Sequence, residues 1–149
     1  MSKNTVIFDL DGTLALIDKR RDLATKNGKM DWDEFFNPDN IKLDKPIPAI
    51  VDLIRTYDDR GYNVFIFSGR NDRSWDETVS WLWDNKIPYD LLVMRPDKFK
   101  NKSFPISKNN PATPDMRFMP DEILKKVMLD TFVDINDVFL VVDLSLIHI

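Results

Sequence analysis

The 149-residue chain contains no cysteine. That removes disulfide frameworks, thiolate zinc sites, iron–sulfur clusters and cysteine nucleophiles. It has a single histidine, the penultimate residue His148, which argues against a Ser-His-Asp triad or a multi-histidine metal centre. Glycine is scarce, with four residues at positions 12, 28, 61 and 69. Their spacing fits neither G-x-G-x-x-G nor a Walker loop, so dinucleotide binding and P-loop kinase chemistry are poorly supported. No apolar run approaches the roughly 18 residues of a membrane span. The polar first residues do not read as a signal peptide, so the expectation is a cytoplasmic protein with no membrane partner. Basic residues are not in excess either. With 21 Lys/Arg against 25 Asp/Glu the net charge is −4, which disfavours a generally basic nucleic-acid binder but allows local basic patches. Carboxylate, lysine, arginine and hydroxyl chemistry remain, together with a hard metal ion.

The length suits one domain, taken as residues 1–149, and 43% hydrophobic residues are enough for a real core. Residues 5–10 form a β-prone run that ends at Asp11 and Gly12. Residues 13–45 read as irregular and polar, a small cap-like insertion over 14–45 in which Asp31 caps a short helix with Trp32, Phe35 and Phe36 on its apolar side. Helical spacing of Ile47, Ile50, Val51, Ile54 and Tyr57 predicts a helix over 46–60, capped by Gly61. A strand over 62–67 runs into Ser68, Gly69 and Arg70. A second helix is expected over 75–85, with Trp75, Val79, Leu82 and Trp83 on its inner side. Then come a short strand over 91–94, a long proline-bearing loop over 95–119, a third helix from Pro120 to about Phe132, and a fourth buried strand over 138–142. Alternating strands and helices imply an α/β fold, a Rossmann-like three-layer parallel sheet with right-handed crossovers. Ligands of such sheets bind beyond the carboxyl ends of the strands. Those ends carry Asp9, Asp11, Ser68, Arg70, Arg95 and Asp143.

The strongest signal is Asp9-Leu10-Asp11-Gly12-Thr13, a pattern expected by chance about once in 10⁵ positions. Residues two apart on a strand point the same way, so Asp9 and Asp11 can serve one site at its end. Paired carboxylates repel and call for a cation, and without soft ligands Mg²⁺ is the natural one. Asp143 can supply a third carboxylate, or can simply open a turn. Ser68, the backbone N–H groups around Gly69 and the Arg70 guanidinium describe a phosphate cradle, or an ordinary strand-to-helix turn with a solvated arginine. One lysine of the third helix can reach the carboxylates, although solvation is the commoner fate of a helix-surface lysine.

These pieces together resemble the haloacid dehalogenase superfamily of aspartate-dependent phosphatases. More narrowly, they resemble the phosphatase domain of polynucleotide kinase 3′-phosphatases. The similarity runs through residues 6–15, 64–70, 117–129 (with Asp121 and Lys125 in register) and 138–143. It implies that Asp9 is the nucleophile and that Asp11 protonates the leaving oxygen and later activates water. It implies Mg²⁺ held by Asp9, the backbone carbonyl of Asp11, and Asp143. Ser68 and Lys125 would bind the transferring phosphoryl group, with Thr13, Gly69, Arg70 and Arg117 among the substrate-binding residues. The family pattern has a second acid soon after the first in its last motif, then a further strand and helix. Here Leu144 follows Asp143, so the expectation is that this last strand and helix are missing and that residues 144–149 are a tail foreign to the pattern.

Two basic stretches follow strands and so belong to the catalytic edge. Lys19, Arg20, Arg21, Lys26 and Lys29 outnumber the acids of 17–29. Arg95, Lys98, Lys100, Lys102 and Lys108 outnumber those of 95–108, with Phe99 and Phe104 between them. This pattern suits a nucleic-acid 3′ end, phosphates on cations and bases on rings. A small-molecule phosphatase, a receiver-like phosphoacceptor module and an inactive truncated fragment are the competing readings.

Overall fold

The computed structural model describes residues 3–96 and 119–144. The expected long loop, Arg117 and the 145–149 tail, apart from the ends of the loop, lie outside the described residues.

In chain order the elements are β1 (Thr5–Phe8), β2 (Ala15–Leu16), α1 (Asp18–Ala24), β3 (Thr25–Lys26), β4 (Lys29–Met30), α2 (Trp32–Phe35), a 3₁₀ helix (Pro38–Leu43) and β5 (Lys45–Pro46). They continue with α3 (Pro48–Asp59), β6 (Asn63–Asn71), a short 3₁₀ turn (Asp72–Ser74), α4 (Trp75–Asp84), β7 (Leu91–Arg95), α5 (Asp121–Phe132), a 3₁₀ turn (Ile135–Asp137) and β8 (Val138–Val142). The main sheet has the order β7-β6-β1-β8, and all its pairings are parallel. The chain steps outward from β1 to β6 and β7, then returns to the other side of β1. The order therefore reverses at β1/β8, where the carboxyl ends open the crevice that α/β sheets use for ligands.

Burial follows the alternation of strand side chains. Val6, Phe8, Val64, Ile66, Leu92 and Met94 pack against Val51 and Ile54 of α3 and Trp81 and Leu82 of α4. Ile7, Phe67 and Val93 point to the other face, where Leu124 and Met128 of α5 cover them. This gives the three expected layers. Among the described residues no helix is long and apolar enough to cross a membrane.

Three local expectations are corrected. The segment 13–45 is not irregular but holds α1, α2, a 3₁₀ helix and two small two-stranded sheets. Asp31 does cap α2, accepting from the N–H groups of Asp33 and Glu34. The inner face of α4 is the expected one only in part. Leu82 is buried and Val79 packs on the core as expected, but Trp81 is buried with Thr78, whereas Trp75 is exposed and Trp83 is 79% exposed. Trp81 also donates its indole N–H to the carbonyl of Asp44 at 3.0 Å, so polarity as well as volume selects that face. Finally, β8 is a half-exposed edge strand rather than a buried one. Leu140 and Val142 pack on the larger core, while Phe139 and Val141 are half-exposed, Phe139 with its ring against Tyr57 and Tyr62.

The corrected α4 face makes a prediction for urea unfolding. Trp81→Phe should cost about 1–2 kcal/mol, because it strips the donor from a buried carbonyl. Trp83→Ala should stay within about 0.5 kcal/mol of the parent.

Candidate active site

The β1 ladder ends at Phe8, and the next residues curl into a tight turn. The N–H groups of Thr13, Leu14 and Ala15 all donate to the carbonyl of Leu10, at 3.2, 3.0 and 2.9 Å. Such a turn needs a left-handed residue, and Gly12 supplies it with φ +80°. The turn leaves Asp9 and Asp11 at the sheet edge but sends their carboxylates to different partners.

Asp9 is buried at the β1/β8 switch point, its backbone N–H donating to Val142 at 2.9 Å. Lys125, one helical turn into α5, donates to Asp9 Oδ1 at 2.5 Å. The same ammonium lies 3.8 Å from Asp143 Oδ2. Thr13 donates to Asp9 Oδ2 at 3.3 Å and accepts from the Leu144 N–H at 2.9 Å. Burial pushes the Asp9 carboxyl up to about 6. Lys125 pulls against that shift, and the nearby Asp143 and Asp11 charges add to it. Asp9, Thr13, Lys125 and Asp143 are thus one cluster. Its two carboxylates converge on a single cationic atom, and its donors are hard oxygens, which fits Mg²⁺. Among the described residues no three acidic or histidine side chains group as a metal site. The Asp11 carboxylate is engaged by Arg20 and Arg70, so a contribution of Asp11 to a metal would come from its backbone carbonyl.

Asp11 belongs to a second, drier cluster. Its Oδ1 accepts from Arg20 Nη2 at 2.9 Å and from Arg70 Nε at 2.8 Å. Both guanidiniums also bind Asp44. Arg20 reaches it through Nε and Nη2 at 3.1 and 3.0 Å, and Arg70 through Nη2 at 2.6 Å. Arg20 further donates to the Phe35 carbonyl and lies 4.6 Å above the Phe35 ring, and Arg70 donates to the Thr78 hydroxyl at 3.1 Å. The side chains of Arg20, Arg70 and Asp44 are fully buried. Burial alone would raise the Asp11 carboxyl, but Arg20 and Arg70 outweigh it and hold the group near 2. Burial likewise opposes the Arg20 charge, and Asp11 and Asp44 more than restore it.

This geometry revises two expectations. Arg70 was expected to grip phosphate, yet its guanidinium is buried and committed to Asp11, Asp44 and Thr78. Arg20 was counted in a solvated basic stretch, yet it is a core residue. A signal for it does exist in the sequence: Ile17, Arg20 and Ala24 lie at helical spacing on one face, and all three are buried. Asp44 carried no sequence signal, because a lone acid after a lysine-bearing polar run reads as surface.

Ser68 and Gly69 sit within β6 rather than in a loop after it. The Ser68 hydroxyl is buried and accepts from the Arg70 N–H at 3.1 Å. Gly69 lies against Asp121, whose Oδ1 would be 2.6 Å from a Cβ at that position. Arg95 ties the two together, donating to the Gly69 carbonyl at 2.9 Å and pairing with the Asp121 carboxylate. Asp121 therefore anchors the first turn of α5 to β6, and that anchoring sets Lys125 over Asp9. Arg95, like Arg20, is removed from the solvated cations.

Comparison with known proteins adds the following. Residues 3–110 match the family model described as the polynucleotide kinase PNKP phosphatase domain. No curated protein matches the sequence. Among solved structures, a chain of the Pnkp1/Rnl/Hen1 RNA repair complex superposes with a TM-score of 0.64 at 23% identity, over 97% of this chain. A second structure of the Pnkp1/Rnl/Hen1 complex gives a TM-score of 0.59 at 23% identity, over 93% of this chain. This chain spans 37% of the length of each of those chains.

Proposed function

Because the chain belongs to the polynucleotide kinase phosphatase-domain family, we propose that it is a Mg²⁺-dependent phosphomonoesterase. In this reading it acts through an aspartyl-phosphate on Asp9 and removes 3′-phosphates from nucleic-acid ends. The observation that carries the proposal is the buried Asp9 carboxylate at the switch point, sharing Lys125 with Asp143.

The chemistry runs as two displacements. Asp9 attacks phosphorus, the bond to the substrate oxygen breaks, and that oxygen takes a proton from Asp11. Asp11 then takes a proton from water, the water oxygen attacks the acyl phosphate, and inorganic phosphate leaves with Asp9 regenerated. Lys125 neutralises the phosphoryl oxygens as they approach Asp9. Asp9, Asp143 and the Asp11 backbone would hold Mg²⁺, which supplies charge neutralisation at the phosphoryl group. The two arginines favour the ionised form of Asp11. An incoming phosphoryl dianion raises its proton affinity, since like charges disfavour ionisation. A receiver-like phosphoacceptor would not need the acid two residues after the nucleophile.

With Arg20, Arg70 and Arg95 buried, Lys19 and Arg21 of α1 and Lys26 and Lys29 of the β3–β4 hairpin remain exposed among the described residues of the two basic stretches. They would position a polynucleotide backbone. The reading takes 1–149 as one domain, with 14–45 as a small cap, in the cytoplasm. The structural relatives, chains of an RNA repair complex, point the same way.

The test is phosphate release from a 3′-phosphorylated oligonucleotide, its 5′-phosphorylated isomer and free nucleotides. The 3′ end should be preferred, and EDTA should lower its turnover by about 10³-fold or more, restored by Mg²⁺. Rapid cleavage of free nucleotides with the oligonucleotide untouched would make the protein a small-molecule phosphatase instead.

A further inference from the structure

We infer that Asp44 is a positioning residue for proton transfer: as the buried counter-charge to Arg20 and Arg70, it aims both guanidiniums at Oδ1 of Asp11 and leaves Oδ2 to carry the proton. The inference rests on the phosphatase reading above and goes beyond it.

The geometry is specific. Every contact that the Asp11 carboxylate makes with the two arginines lands on Oδ1. Two guanidiniums converging on one oxygen repel each other unless an anion lies between them, and Asp44 lies there. Its Oδ2 accepts from both Arg20 and Arg70, and its Oδ1 from Arg20. The Asp44 backbone is fixed in turn. Its N–H donates to Ile41 at 3.0 Å, closing the 3₁₀ helix, and its carbonyl accepts the Trp81 indole N–H at 3.0 Å. Arg20 comes from α1, Arg70 from β6 and Asp44 from the segment before α3. Three separate parts of the chain thus meet at the oxygen that does not move a proton. Fixing one oxygen of a carboxylate sets the direction of the other, and proton transfer depends on that direction. The segment between β1 and α3 is therefore part of the catalytic scaffold and not merely a cover.

A role in proton transfer is separable from a role in stability by the leaving group. An alkoxide, as at a nucleic-acid 3′ end, needs a proton to depart. A p-nitrophenolate departs without one. In Asp44→Asn, kcat/KM for a 3′-phosphorylated oligonucleotide should fall by about 10²-fold or more, the usual worth of a positioned acid. The value for p-nitrophenyl phosphate, which ends at departure of the nitrophenolate, should fall by less than about tenfold. Because Asp11 must still activate water afterwards, the variant should also release a stoichiometric burst of p-nitrophenolate before slow turnover. Thr78→Val, which removes the hydroxyl accepting from Arg70, should show the same selectivity at a few-fold size, and it decides the matter if Asp44→Asn does not fold. Equal losses on the two substrates in the folded variant, or no loss on either, would overturn the inference while leaving the phosphatase reading intact. A parent chain inert on both substrates with Mg²⁺ present would overturn that reading and this inference together.

Discussion

Asp9→Asn should abolish turnover of every phosphate ester, by at least about 10⁴-fold, as removal of a covalent nucleophile does. No phosphoenzyme should be trapped on acid quenching. The fold should respond in the opposite sense. Burial holds the Asp9 carboxyl at about 6 against an ordinary 3.8, so the folded chain binds this proton more tightly than the unfolded chain does. Stability from this group is full below pH 4 and is lost as pH rises through 6. Replacing Asp9 by neutral Asn removes that penalty. Without metal at pH 7–8 the variant should be more stable than the parent by on the order of 1–3 kcal/mol, and the difference should vanish near pH 4. Mg²⁺ should then raise the melting temperature of the parent and leave that of the variant nearly unchanged. A variant that keeps measurable turnover, or that is less stable than the parent at neutral pH, would show that Asp9 is a structural carboxylate.

The same contrast explains how far the sequence could be read. Asp9 was legible because the turn chemistry around it is local. A β-run, two acids at strand spacing and a glycine where φ must be positive occupy consecutive positions. The three-layer order was legible for a similar reason, since apolar period changes between 2 and 3.6 along the chain. Asp143 was legible as an acid at a strand end, but Lys125 could be singled out only by the resemblance, because the link between Asp121, Gly69 and Arg95 that aims α5 joins positions far apart in sequence. On α4, Leu82 and Val79 were placed correctly but the tryptophans were not, because the choice of Trp81 over Trp83 rests on an acceptor contributed by Asp44. The basic stretches were overcounted at Arg20 and Arg95 for the same physical cause. Charge counting assumes that basic side chains are solvated, and both of these are paired inside the protein. The site therefore carries less surface charge than its sequence advertises, and the charge concealed at Arg20 and Arg70 is paired with Asp11 and Asp44.

That concealed charge leads to the second large effect. Arg20→Ala should destabilise the protein by about 3–5 kcal/mol, lowering the melting temperature by roughly 6–20 °C for a chain of this size. The reason is not that a buried ion network is intrinsically strong, since desolvation offsets much of its attraction. Removing Arg20 leaves Asp11 and Asp44 sharing one guanidinium, strands the Phe35 carbonyl and opens a cavity beneath the Phe35 ring. Arg20→Lys should recover little, because an ammonium cannot replace the fork that spans two carboxylates and a carbonyl. By contrast Arg21→Ala, next door but exposed and paired only with Asp18, should change stability by less than about 0.5 kcal/mol. The acid limb gives an independent check. Asp11, held at about 2 mainly by Arg20 and Arg70 against its burial, stabilises the fold above pH 4, and that contribution is lost as pH falls toward 2. The gap between the parent and Arg20→Ala should therefore narrow between pH 4 and 2, by on the order of 1–2 kcal/mol. In the double variant Arg20→Met with Asp44→Leu, the loss should be smaller than the sum of the two single losses, because each removes the burden that the other leaves behind. Additive losses, or a gap that stays constant into acid, would mean that the four side chains are neighbours rather than one electrostatic unit.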